Sequence, residues 1–139
     1  MVKPDLCFGN FGENLTTLGL MEDLVCLGDR YRIGSAEMVV TQPREPCITL
    51  NRRLNLENFS KRFKESGRSG FYFSIAKEGI VKREDSIECI AKDENKVSVS
   101  EFNDVLNGES GGKDIIYRAS RVNASPLKIK NMLLKRLTT

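Results

Sequence analysis

At 139 residues, with 40% hydrophobic and 29% charged residues, the chain has the composition of a soluble globular protein. That is room for one ordinary domain, or for one of about 95 residues with an appendage of about 45. Several classes are excluded on residue types alone. No apolar run approaches the roughly 18 residues a membrane span requires. The start, Met1-Val2-Lys3-Pro4-Asp5, lacks the apolar stretch of a secretory leader, so a cytoplasmic location is expected. With no histidine, a zinc finger or a histidine acid–base pair is excluded, and the cysteines at 7, 26, 47 and 89 form no C-x-x-C pair. Free thiols are expected. The net charge of +3 hides an asymmetry: residues 113–139 hold seven basic residues against Asp114 alone, whereas the rest of the chain is net acidic.

Arg30-Tyr31-Arg32-Ile33 alternates polar and apolar residues. Gly34-Ser35 then makes a two-residue turn and Glu37–Thr41 is β-branched, which predicts a hairpin over 30–41. Pro43 and Pro46 bracket a break, after which Ile48-Thr49-Leu50 reads as a short strand. Asn55 is placed to cap a helix with Leu56, Phe59 and Phe63 on one face and Gly67 as its stop. The cationic residues of that helix, Lys61, Arg62 and Lys64, read as its solvated side. The aromatic and β-branched run Phe71–Ala76 predicts a strand, as does Ser86–Ile90.

Near residue 97 the pattern changes to helix. Ser98 and Glu101 have the spacing of a capping box, with Val97 and Phe102 placed as a hydrophobic staple. Asn107-Gly108 ends that helix. A second runs from Ile115 through Ala119, and Ser125-Pro126 opens a third with Ile129, Met132, Leu133 and Leu137 as its apolar stripe. None of the three is long enough to be stable in isolation. The polar stretch 91–96 reads as a linker, so the expected division is a β-rich unit at 1–94 and a three-helix unit at 97–139.

Three segments in order carry a resemblance to a known family. They are Phe11–Leu20 with Gly28–Gly34, Thr41–Cys47 with Leu50-Asn51, and Ser66–Phe73. Together they resemble MOSC-domain proteins, named for the C-terminal domain of molybdenum-cofactor sulfurases. The nearest subgroup is the bacterial proteins conferring resistance to 6-hydroxylaminopurine, which also end in a three-helix tail. The resemblance implies an α+β fold: a mostly antiparallel, partly closed β-barrel followed by three helices. It implies molybdenum held by one protein thiolate, Cys47, a soft ligand suited to that metal. Asn14 and Gly12 would lie on the cofactor side, glycine permitting close approach of backbone to a pterin or phosphate. Arg44 could offset the cofactor's negative charge or lower the thiol pKa. Arg68, between Gly67 and Gly70, could reach an anion from a loop. Cys7, Cys26 and Cys89 sit in apolar runs and read as small buried side chains.

Family members also carry ~80 residues upstream of the Phe-Gly-Glu-Asn segment, with a Gly-Asp and a His-Gly-Gly element, and the ten residues before Phe11 here contain neither. The expected barrel then lacks its first strands. Phe11–Thr17 becomes an edge strand, to be paired in a homodimer near residues 8–20 or completed by a second chain.

Three function classes follow. The first is a molybdenum-dependent oxidoreductase acting on N-hydroxylated small molecules such as hydroxylaminopurines. It would need a separate electron-donating reductase, since the chain has no Gly-x-Gly-x-x-Gly and no iron–sulfur cysteine spacing. The second is a non-catalytic carrier of the cofactor or its sulfur, or a shortened inactive remnant. The third is a nucleic-acid binder using the basic tail, disfavoured because no aromatics interleave with the charges.

Overall fold

The structure is a computed structural model that describes residues 13–45, 49–108 and 112–138. Strands β1 (Arg30–Ile33) and β2 (Ala36–Pro43) form the expected hairpin. Helices α1 (Thr49–Leu54) and α2 (Phe59–Glu65) follow. Then come β3 (Phe71–Lys77), β4 (Ile87–Ala91), α3 (Val99–Asn107), α4 (Lys113–Ser120) and α5 (Leu127–Thr138). The four strands make one antiparallel sheet in the order β3-β2-β1-β4. Where partial closure into a barrel was expected, the sheet is open among the described residues, with β3 and β4 as its edges. No described helix is long and apolar enough to cross a membrane.

The alternation read in the hairpin places Tyr31, Ile33, Ala36, Met38 and Val40 in the interior. At the turn, Gly34 takes φ 57°, and a β-carbon there would collide with the Ile80 carbonyl, so glycine is required. Ser35 holds the loop across it, donating its N–H to the Ile80 carbonyl and accepting the Ile80 N–H on its hydroxyl.

Three local expectations are corrected. The strand expected at Ile48–Leu50 is a helix from Thr49 onward, because winding brings the buried Leu54 against Phe59, with Leu56 and Phe63 closing over them. Asn55 therefore ends α1, in the left-handed region at φ 51°, instead of capping α2. Asn51 ties the two helices, its side-chain oxygen accepting the Ser60 N–H at 2.7 Å. The described part of the expected edge strand, residues 13–17, forms no strand.

The tail follows its sequence signals closely. Ser98 and Glu101 form the capping box, each side chain accepting the other's backbone N–H at 3.0 Å. Gly108 ends α3 in the left-handed region. The start of α5 differs in detail: the buried Ser125 hydroxyl has no hydrogen-bond partner, and it is the Pro126 carbonyl that accepts the first helical N–H groups.

One apolar cluster joins the two halves of the chain. Val25, Leu27, Tyr31 and Val40 from the first part pack with Val97, Val99, Phe102, Val105, Ile116, Ala119, Val122 and Leu133 from the second. The backbone is paired there as well. The Leu27 N–H donates to the Val97 carbonyl, and the Val99 N–H to the Val25 carbonyl, both at 2.9 Å.

Beside this seam, Asp29 is fully buried and collects three donors. They are the Cys26 N–H at 3.0 Å, the Asp93 N–H at 2.9 Å and the Lys92 ammonium at 3.1 Å. Gly28 next to it has φ 87°, and a β-carbon at this position would overlap the Asp93 carboxylate.

Two groups near this cluster make the fold sensitive to alkali. Burial pushes the Tyr31 phenol up to about 12, with Asp29 and Cys89 adding to the rise and Lys92 opposing it. Burial acts to lower the Lys92 ammonium, but its hydrogen bond to Asp29 and that residue's charge outweigh this and leave it above its ordinary value. In both cases the folded state holds a proton that the unfolded chain gives up more readily. Their stabilisation is therefore present below about pH 10 and is lost as pH rises further. Unfolding midpoints in urea should fall between pH 10 and 12, with Tyr31 contributing on the order of 2 kcal/mol. Tyr31→Phe should flatten the curve, and an unchanged curve would show that the phenol is not the sensor.

Candidate functional site

The three segments that carry the family resemblance converge on one cleft of about 740 Å³. Its apolar lining is Met38, Phe71, Phe73 and Ile75 from the sheet and Phe63 from α2. Its polar lining, or rim, comes from Glu13, Asn14, Thr16 and Thr17 in one stretch and from Glu22, Arg44, Arg68 and Ser69 in others.

A string of hydrogen bonds assembles the latter part of the rim. The Gly70 N–H donates to the Glu22 carboxylate at 3.1 Å, and the Gly70 carbonyl accepts the Arg44 N–H at 3.0 Å. The buried Ser69 hydroxyl donates to the Arg44 carbonyl at 3.0 Å. Upstream, β2 carries a bulge: Val40 pairs with Phe73 and Gln42 with Tyr72, leaving Thr41 as the extra residue. Its hydroxyl donates to the Tyr72 carbonyl at 3.2 Å. A bulge bends and twists its strand, and this one lies immediately before the residues that turn Arg44 into the cleft wall.

Of the residues expected to hold a cofactor, Asn14 and Arg44 line this cleft together. Gly12 and Cys47 lie outside the described residues. Arg68, weighed only as a loop residue that could meet an anion, stands on the same rim as Arg44. Residue-type reasoning missed Glu22, which fixes Gly70; its only signal was its position just beyond the first resembling segment.

The lining suits a polar organic ligand with an apolar face. Two guanidinium groups, two carboxylates, an amide and four hydroxyls stand beside the apolar side chains, and the volume falls within the usual range for small-molecule sites. Among the described residues no cluster of three His, Cys, Asp or Glu side chains could hold a metal ion. A metal here would be held mainly through its organic ligand and a single thiolate, which is what the resemblance implies for Cys47.

The remaining described cysteines divide. Cys26 is half-buried, and burial, with Asp29 beside it, pushes its thiol up, so it stays protonated and unreactive near neutral pH. Cys89, expected to be buried, is exposed: β4 is an edge strand, and of its residues Ile87 packs against the core.

Comparison with known proteins agrees with this geometry. The uncharacterized protein YflK of Bacillus subtilis is 38% identical over 89 residues, covering 64% of this chain and 40% of its own. A protein named reductase from Gibberella moniliformis is 29% identical over 127 residues, covering 90% of this chain and 23% of its own. The chain thus spans well under half the length of these curated relatives. The crystal structure of YiiM from Geobacillus stearothermophilus superposes with a TM-score of 0.89 at 32% identity, covering 95% of this chain and 68% of that one. The MOSC domain model matches residues 1–88, well over half of the sequence, and the chain belongs to the MOSC domain family.

Proposed function

We propose that the cleft binds the molybdenum cofactor and that the protein reduces N-hydroxylated small molecules with electrons from a separate reductase. The observation that carries this reading is the hydrogen-bonded string from Glu22 through Gly70 to Arg44. It fixes the position of Arg44, which lines one cleft together with Asn14, Arg68 and apolar side chains. The family, and a relative named reductase, support it. When bound, the cofactor supplies the two-electron redox couple. The chain's own contribution is binding and orientation. With the cofactor bound, Arg44 and Arg68 would offset its negative charge, Asn14 and the lining hydroxyls would offer it hydrogen bonds, and the apolar Met38, Phe71 and Phe73 would keep water from it. The net reaction takes an N–OH group, two electrons and two protons to an N–H group and water, so the N–O bond is the one broken. A cytoplasmic site of action goes with this reading.

Molybdenum content of protein purified from a cofactor-producing host is the test. Wild-type protein should carry the metal, and Cys47→Ser should lose it. Arg44→Ala should lower occupancy at least tenfold, the loss expected for one charge-assisted contact of about 1.5–3 kcal/mol. Wild-type protein free of molybdenum would overturn the proposal. Metal-loaded protein inactive on hydroxylamine substrates with a reduced donor would favour the second reading, a non-catalytic carrier.

The open sheet bears on the partner. Its exposed edges are β3 and β4, and β3 carries the half-exposed Tyr72 and Ile75. Pairing of such an edge with a second copy, or with a chain supplying further strands, would close the sheet towards a barrel. Sedimentation velocity over a range of micromolar concentrations should show a dimer that dissociates on dilution. A single monomeric species throughout would remove self-pairing and leave only a separate chain.

A further inference from the structure

Helix α5 is the longest in the described chain, and its solvent face is not that of a merely solvated helix. Its inner side packs through Ile129, Met132, Leu133 and Leu137. Opposite them, where polar residues belong, stand Leu127 and Leu134, 72% and 49% exposed. They are seven residues apart, so both project along one ridge, with Asn131 between them. Lys128 and Lys135 repeat the same spacing beside that ridge. Neither lysine's ammonium group has a hydrogen bond or ion pair among the described residues, and the helix contains no acidic residue.

Along the lysine side runs a second groove of about 740 Å³, between α5 and the end of β2. Among the described residues Glu45 is the one carboxylate lining it. Tyr72 lines this groove and the cofactor cleft alike and is 47% exposed. The two concavities therefore meet at a single aromatic ring.

We propose that the α5 ridge and this groove form the docking surface for an acidic electron-carrier protein, which delivers electrons to the cleft past Tyr72. This rests on the reductase reading given above and names the surface its donor uses. The sign of the charge selects an acidic partner. The exposed leucines select a protein over a nucleic acid, since apolar side chains between the lysines give a phosphate backbone nothing to bind. Position selects an electron carrier, because the groove opens beside the site that needs electrons. In each transfer the carrier's reduced flavin is oxidised as the cleft's cofactor is reduced.

The test is a titration of the full-length, isotope-labelled protein with purified flavodoxin, and separately with duplex DNA, at low and at moderate salt. Flavodoxin should perturb amides from 127 to 135 and that of Tyr72. Its affinity should fall at least tenfold in Lys128→Glu/Lys135→Glu and on raising the salt. Leu127→Ser/Leu134→Ser should weaken binding with the charges intact, and all four positions are exposed enough for the fold to survive. Absent shifts, shifts elsewhere, or affinity indifferent to charge reversal would overturn the proposal. So would DNA binding through the same lysines that flavodoxin cannot displace. The titration needs no cofactor, so its failure and a failure to find molybdenum are separate results.

Discussion

Phe102→Ala should destabilise the entire chain by about 3–5 kcal/mol, the range for emptying a fully buried aromatic site. Phe102 is completely inaccessible and sits in the cluster joining Val25, Leu27, Tyr31 and Val40 of the first part to the three tail helices. A ring removed there leaves a cavity that both halves line, and neither can collapse into it without moving the other. A domain of this size has about 5–15 kcal/mol in total, so the loss is a large share. Urea unfolding followed by circular dichroism should remain one transition, shifted to lower denaturant. Deleting residues 97–138 should leave no folded sheet, since it strips the cover from one face and removes the Val97 and Val99 backbone partners of 25–27. A β-rich unit that stayed folded after the deletion would restore the division at residues 94–97 as a true domain boundary.

Asp29→Ala is expected to cost about 2–4 kcal/mol, although it removes only a small side chain. The loss comes from the groups left behind. The Cys26 and Asp93 N–H groups each lose their carboxylate acceptor, and the Lys92 ammonium loses its partner. Lys92 is largely exposed and can return to water, so the two amides carry most of the penalty. Asp29→Asn keeps the shape and one acceptor oxygen while presenting an NH₂ group to the remaining donors, so it should recover only part of the loss. Full stability of the alanine variant would mean that solvent reaches these amides. Because Asp29 lies beneath the seam between sheet and tail, hydrogen exchange should quicken first at residues 26–29 and 93–99.

Local chemistry was sufficient wherever a short stretch of sequence contains its own reason. The hairpin at 30–41 follows from alternation plus a glycine that must take a positive φ. The α3 start follows from Ser98 and Glu101 satisfying each other's backbone. Phe102, Ile115, Ile129, Met132, Leu133 and Leu137, the apolar residues read in the tail, all lie in or against the shared cluster. The candidate site was legible in part, since three spaced segments named Asn14 and Arg44 before any geometry placed them in one cleft.

What only the tertiary structure decided depends on contacts between residues far apart in sequence. Ile48–Leu50 has strand-like residues, but Thr49–Leu54 is helical because Leu54 gains burial against Phe59 that a strand would forgo. Glu22 carries no motif, and its role exists only because Gly70, 48 positions away, turns its N–H towards it. Asp29 carries no sequence signal of its own; its burial goes with the return of Lys92 and Asp93 beside it. The polar stretch at 91–96 has the composition of a linker, and as a connection it is one. Composition reports exposure of the connecting residues, however, and not whether the elements on either side share an interior. That was settled by Val97, Val99 and Phe102, which find their burial against the sheet.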